Sequence, residues 1–237
     1  MTRLGLTHRE TLRTRYSIAY WSGESGRPQE TLRLMKELIE DQRVVLGSEH
    51  PDTLRTQHGI GLWTGVTGDP AEAVRVLAEL LPVRERVLGP DHPDTLRTLN
   101  NLGRWTGVLG DHRRAIEILE DTRERRTRTL GAEHPDTMRT VNNIIDETGA
   151  AGDFRRAYEL ADQLLPLQRR WLLDRHQDTM RTRFNRARWL AADGEVQAAV
   201  QQMRELYLDQ VAFLGEQHPD AVRTALRIAE LDGADAG

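Results

Sequence analysis

His92-Pro93-Asp94-Thr95-Leu96-Arg97-Thr98-Leu99-Asn100-Asn101-Leu102-Gly103-Arg104-Trp105-Thr106-Gly107-Val108-Leu109-Gly110-Asp111 holds one helix and both of its boundaries. Pro93 suits a first helical turn, where its missing N–H had no partner to lose. Asp94 sets a carboxylate at the positive end of the helix dipole. The segment from Thr95 to Trp105 then reads as helix, ending near Gly107. Gly110 permits a left-handed stop and Asp111 can cap whatever follows.

The same phrase returns along the chain. His8, His50, His92, His134, His176 and His218 are each 42 residues apart. His50-Pro51-Asp52-Thr53-Leu54-Arg55-Thr56 recurs at 92–98 and, with Met138 for Leu, at 134–140. His8 and His176 open looser copies, and His218-Pro219-Asp220-Ala221-Val222-Arg223-Thr224 is the last. Spacing this regular marks a repeat architecture. We place repeats at about 8–49, 50–91, 92–133, 134–175 and 176–217. A capping helix over 218–231 and a frayed tail over 232–237 complete a single domain over 1–237.

Each repeat contains a second helix. A Gly-Asp turn introduces it at Gly68-Asp69, Gly110-Asp111 and Gly152-Asp153, with Gly194-Glu195 as a variant. Its apolar stripe is Ala73, Val76, Leu77, Leu80 and Val87 in the second repeat. In the third it is Ala115, Ile118, Leu119 and Thr122. Steps of three and four mark one buried helical face. A Leu-Gly pair closes it at Leu46-Gly47, Leu88-Gly89, Leu130-Gly131 and Leu214-Gly215. Pro82 and Pro166 share one column of this helix and are expected to kink or split it.

Composition removes whole classes of function. The 237 residues include no cysteine, which excludes a disulfide scaffold, thiol catalysis and Cys-ligated zinc. Met1 to Glu10 carries no apolar run, so no secretory leader is expected, and nothing is long and apolar enough to span a bilayer. Lys36 is the only lysine, so no phosphate-binding loop of the Gly-Lys-Ser/Thr type exists. With 33 cationic and 37 acidic residues, the balance gives no reason to expect nucleic acid or an anionic membrane. The expected setting is cytoplasmic.

Asn101-Leu102-Gly103, Gly110-Asp111, Ala115 and Leu119 resemble the tetratricopeptide signature. The usual unit is about 34 residues. A longer unit with LGxxHPDT linkers is similar to the kinesin light chain type, which also occurs in bacterial signalling ATPases. The resemblance implies an all-α fold, a right-handed α-solenoid or superhelix of helix-turn-helix repeats. It implies that the first helix of each repeat, helix A, lines a concave groove. The chain departs from the family at Trp21, Trp63, Trp105 and Trp189, where a small residue is usual; Glu147 holds that column in the fourth repeat. We read the tryptophans as core packing between neighbouring helices. The opening phrase Leu4-Gly5-Leu6-Thr7-His8 reads as a linker, so a preceding repeat or domain is expected.

The resemblance also nominates a partner surface on helix A. One column is Arg55, Arg97, Arg139, Arg181 and Arg223. Four residues on stand Asn101, Asn143, Asn185 and Arg227; between them lie His58, Asn100 and Asn142. Arg104 and Arg188 form a further column. Arg139 with Asn143, then Asn185, then Arg223 with Arg227 is similar to the carboxylate clamp of some tetratricopeptide domains. Guanidinium forks grip carboxylates, and Asn can hold a peptide amide. Each arginine also follows an acid by three residues, as in Asp94 and Arg97, so local ion pairing competes with ligand binding. The histidines, one repeat apart, cannot converge on a metal, and helix entry is their expected role.

The expected function is therefore a non-catalytic scaffold that binds a protein or peptide segment, acidic or extended, from another protein or from the same polypeptide. It needs no cofactor, no metal, no nucleic acid and no membrane. A sensor or autoregulatory arm of a larger bacterial signalling protein, such as a STAND-type ATPase, is the alternative. A self-assembling structural module is a second. The sequence assigns no oligomeric state.

Overall fold

The computed structural model describes Gly5 and residues 8–234. Among the described residues every regular element is an α-helix, as the repeat pattern predicts. The helices are α1 (Arg9–Glu24), α2 (Pro28–Val45), α3 (Pro51–Val66), α4 (Pro70–Leu88), α5 (Pro93–Val108) and α6 (His112–Leu130). They continue as α7 (Pro135–Ala150), α8 (Phe154–Trp171), α9 (Gln177–Ala192), α10 (Val196–Leu214) and α11 (Pro219–Ala234). Odd-numbered helices are A helices and even-numbered ones are B helices. Consecutive helices form helix-turn-helix pairs, the all-α arrangement that the resemblance to tetratricopeptide repeats implies. Of the tail segment 232–237, residues up to Ala234 are helical, while 235–237, like Leu4, Leu6 and Thr7 of the opening phrase, lie outside the described residues.

The chain forms two compact units, one up to Ile118 and one from Leu119 onward. In the first, α1 to α5 pack each on the next, and α3 also touches α5. Its best-defined core joins Ala73 and Leu77 of α4 to Leu102 and Trp105 of α5. In the second, α7 to α11 pack in the same order, and α7 touches α9. There Leu119, Met138, Ile144, Ile145, Ala157, Leu160, Leu164 and Trp189 share one cluster. Ala187, Leu190, Ala199, Met203 and Leu231 form another.

The ladder histidines are the N-caps. Nδ1 of His50, His92 and His134 accepts the backbone N–H two residues on at 3.1 Å, and His8, His176 and His218 do the same at 3.2–3.3 Å. An imidazole nitrogen thus does the work usually given to a Ser or Asp oxygen. The B helices are capped by Asp69, Asp111 and Asp153, each accepting the N–H three residues on at 3.0–3.1 Å. Glu195 stands at the fourth such position without a side-chain cap.

The two prolines do not split their helices. α4 runs through Pro82 and α8 through Pro166. Packing of the flanking buried residues, Leu80 and Arg84 or Leu164 and Gln168, holds the helix across the missing hydrogen bond. The B-to-A linkers turn at Gly47, Gly89, Gly131 and Gly215, all at positive φ. The fourth repeat has Leu173 in that column. It adopts the same left-handed conformation, φ 71°, which a side chain disfavours.

The tryptophan column is a set of knobs. A Cβ built on Gly65 would overlap the ring of Trp105, and one on Gly149 would overlap Trp189. Gly23 bears the same relation to Trp63. Each ring therefore lies flat on the bare backbone of the preceding A helix. Trp105 and Trp189 are 5% and 4% exposed. Trp21, on the first described helix, meets no such glycine among the described residues and is 65% exposed. Core packing thus describes Trp105 and Trp189 and does not extend to Trp21.

Candidate functional site

The arginine ladder stands at the surface in both units. Arg55, Arg97, Arg139 and Arg223 are exposed, and Arg181 is partly so. Local ion pairing holds most of them. Arg55, Arg97, Arg139 and Arg223 pair with the acid three residues earlier at 3.0–3.3 Å. Arg139 also reaches Asp178 of α9 at 3.5 Å. Arg181 breaks the pattern: it turns back to α7, pairs with Asp146 and donates to Asn143 Oδ1 at 3.0 Å. Exposed pairs of this kind contribute only about 0–1 kcal/mol, so they orient the guanidiniums without removing them from use.

The columns beside the ladder lie deeper. His58, Asn100, Asn142, Asn143 and Asn185 are buried, and Asn101 and Arg227 are half-buried. One turn along an A helix from the ladder, the side chain meets the neighbouring A helix rather than solvent. In the first unit His58 Nε2 lies 3.2 Å from Asn101 Nδ2, and Nδ1 lies 3.4 Å from Thr98 Oγ1. A neutral imidazole accepting at Nε2 and donating at Nδ1 satisfies both. Burial, with Arg84 and Arg97 nearby, holds its pKa down to about 3. In the second unit Asn142 donates to Asp178 O at 3.4 Å and accepts from Thr182 Oγ1 at 2.6 Å. These residues knit the A helices together and offer little surface. Arg104 and Arg188 are exposed and lie over Trp105 and Trp189, 4.9 and 4.1 Å from the ring centroids.

In the second unit the ladder closes around a cleft of about 500 Å³. Arg139 of α7, Arg181 of α9 and Arg223 of α11 all line it. His176, Asp178, Asp220 and Gln210 complete much of the wall. Arg223 also stacks over Phe184, 4.6 Å from its centroid. Among the lining residues three guanidiniums face two carboxylates, while Asp136 and Asp146 pair with Arg139 and Arg181 from outside the cleft. Of the clamp-like set, only Arg139 and Arg223 line the cleft. Asn143 is engaged by Arg181, Asn185 Nδ2 is buried without a partner, and Arg227 pairs with Glu230 at 2.8 Å. A larger cavity of about 990 Å³ lies elsewhere in this unit, with Val141, Leu160, Leu164 and Leu167 on its walls and charged α6 residues beside them. No ladder residue lines it. Among the described residues no group of His, Asp or Glu is arranged to hold a metal ion, and no helix is long and apolar enough to cross a membrane.

One polar column escaped the sequence reading. Gln42, Arg84, Arg126, Gln168 and Gln210 stand 42 residues apart on the B helices, and all are buried. Arg84 Nη1 donates to Asp94 O at 2.5 Å and Thr98 Oγ1 at 2.9 Å, and Nη2 to Leu54 O at 3.0 Å. Burial lowers its pKa to about 10, which leaves it a cation at neutral pH. The available signal was its 42-residue recurrence on the apolar face of an amphipathic helix.

Comparison with known proteins agrees with this architecture. Two tetratricopeptide-repeat family models match, one over residues 11–52 and one over 64–125. No curated protein sequence matches. Among solved structures, the chain is similar to the nearly identical TPR-like repeats of a putative kinesin light chain from Podosopora anserina. Identity is 26% and the TM-score 0.70, over 86% of this chain and 97% of that one. BtubC (BKLC) from P. vanneervenii is similar in fold, with 16% identity and a TM-score of 0.71 over 89% of this chain and 83% of that one. So is a Rap protein in complex with Competence and Sporulation Factor, at 11% identity and a TM-score of 0.64, over 96% and 65%.

Proposed function

We propose that this chain, whose repeats are similar to tetratricopeptide repeats of the kinesin light chain type, is a protein–protein interaction scaffold and that its partner docks on the A-helix face of the second unit. The observation that carries this reading is the convergence of Arg139, Arg181 and Arg223 on one cleft. The partner presents an extended segment with acidic side chains, which exchange the exposed local pairs for bidentate contacts to the guanidiniums. Arg188 and Arg227 extend the contact surface along α9 and α11, and Arg55, Arg97 and Arg104 offer a second one on the first unit. The role is non-catalytic and its proposed setting is the cytoplasm. That a Rap protein of the same fold holds Competence and Sporulation Factor supports the scaffold as a host for a bound factor.

A peptide array probed with the intact chain tests the proposal. The double variant Arg139→Ala, Arg223→Ala should lose at least tenfold in capture of acidic segments, and raised salt should mimic it. Arg33→Ala, on the exposed face of α2, serves as control and should change nothing. Capture undiminished in the double variant would overturn the assignment.

A further inference from the structure

The buried B-helix column places the same socket in several repeats. Arg84 fills it in the first unit, donating to the first-turn carbonyl of Asp94 and the hydroxyl of Thr98. Arg126 does so in the second, donating to Asp136 O at 2.6 Å and Thr140 Oγ1 at 2.8 Å. At Gln168 the residue is shorter, and Asn142 reaches in from α7 to bond Asp178 O and Thr182 instead. In the fifth repeat both substitutions fail together. Gln210 is again shorter than arginine, and the residue in the Asn142 column is Phe184, which donates nothing.

The socket is retained there. Met180, Asp220 and Thr224 are the counterparts of Leu54, Asp94 and Thr98, each 126 residues on. Met180, Gln210 and Asp220 line the cleft of about 500 Å³. Gln210, 1% exposed, has its Oε1 buried without a partner. The floor therefore presents acceptors, and a carboxylate would bring only more acceptors to it. We propose that the floor of this cleft receives the guanidinium of a partner's arginine side chain, seated as Arg84 and Arg126 are seated within the chain. The charge balance permits it. Arg84 is held with Arg55 and Arg97 close by and Asp94 as counter-charge. Their counterparts here are Arg181, Arg223 and Asp220, and Arg139 and Asp178 add one charge of each sign, so the balance is the same. The inference rests on the docking reading in one respect: the cleft must be open to a partner's segment. That segment then carries an arginine at the floor and acids at the rim.

The test uses the full chain with Nα-acetyl-arginine amide as probe and Nα-acetyl-citrulline amide, of the same shape but uncharged, as control. Binding is followed by amide chemical shifts at Met180, Asp220 and Thr224. The arginine probe should bind in the millimolar range and the citrulline probe at least tenfold more weakly. Gln210→Arg should fill the socket from within, raise the unfolding midpoint and abolish probe binding. Thr224→Val, which removes an acceptor without filling the space, should weaken it several-fold. Absence of probe binding, or equal binding to the wild type and both variants, would overturn the proposal and leave the cleft to water. The two readings fail separately. Array capture that depends on Arg139 and Arg223 with no probe binding sinks the socket alone. Probe binding without that dependence sinks the acidic-segment reading alone.

Discussion

Gly149→Ala should change sign with the residue at 189. On an otherwise free helix face the substitution is favourable, because alanine exceeds glycine in helix propensity by about 1 kcal/mol. Here the added Cβ would overlap Cε2, Cδ2 and Cζ2 of Trp189. The ring cannot simply step aside: it is 4% exposed and stacked on Phe154, with centroids 6.0 Å apart and planes 10° from parallel. Overpacking of this kind costs about 1–3 kcal/mol, so the net change is a destabilisation of about 1 kcal/mol. Trp189→Ala alone should cost about 3–5 kcal/mol. In that background the Cβ meets no ring, and Gly149→Ala should now stabilise by about 1 kcal/mol. The coupling between the two sites is then about 2 kcal/mol. Urea unfolding of the four chains, followed by far-UV circular dichroism, reads it directly. Amide exchange in α7 and α9 should accompany it, because repeat arrays can open in parts. A change of the same sign and size in both backgrounds, within about 0.5 kcal/mol, would refute the knob-on-glycine account.

The buried imidazole of His58 predicts an acid-sensitive first unit. Its pKa is held to about 3 against 6.5 for a free ring, so the unfolded chain takes up the proton first. Its contribution is complete above pH 6.5 and is lost as pH falls towards 3, amounting to about 2 kcal/mol by pH 5. The urea stability difference between pH 7 and pH 5 should shrink by about that amount in His58→Gln, and an unchanged difference would refute the assignment. Leu173→Gly should stabilise the second unit by about 0.5–1 kcal/mol, since relief of a left-handed side chain outweighs glycine's extra freedom in the unfolded state. A loss of thermal stability in that variant would show that the exposed leucine contributes more by packing than it costs in backbone strain.

Much of the fold was legible because each boundary is written locally. His-Pro-Asp, Gly-Asp and Leu-Gly act through capping, dipole and left-handed turns within a few residues, and periods of three and four name the buried face. The split expected at the prolines does not occur, since the rule for an isolated helix omits the neighbours that hold α4 and α8 together. The candidate site was legible at the ladder, where Arg139, Arg181 and Arg223 do meet. It was less so beside the ladder. His58, Asn100, Asn142, Asn143 and Asn185 share helical register with the arginines yet sit between helices. Spacing along one helix gives direction but not what stands opposite.

From sequence alone follow the helix pairs, their 42-residue period, the histidines at each helix entry and the arginine column. All of these depend on residues close in the chain. The tertiary structure decided which polar residues are used up. Arg84 spends its Nη donors on carbonyls of α3 and α5, Asn142 bonds to α9, and Trp105 and Trp189 find glycines on the preceding A helix. It also decided that Gln210, in the column that holds Arg84 and Arg126 in other repeats, keeps an unpaired acceptor beside a cleft. The reason is physical: hydrogen-bond satisfaction in a core is a property of facing surfaces, and a repeat pattern specifies those surfaces only where each copy keeps the same partner.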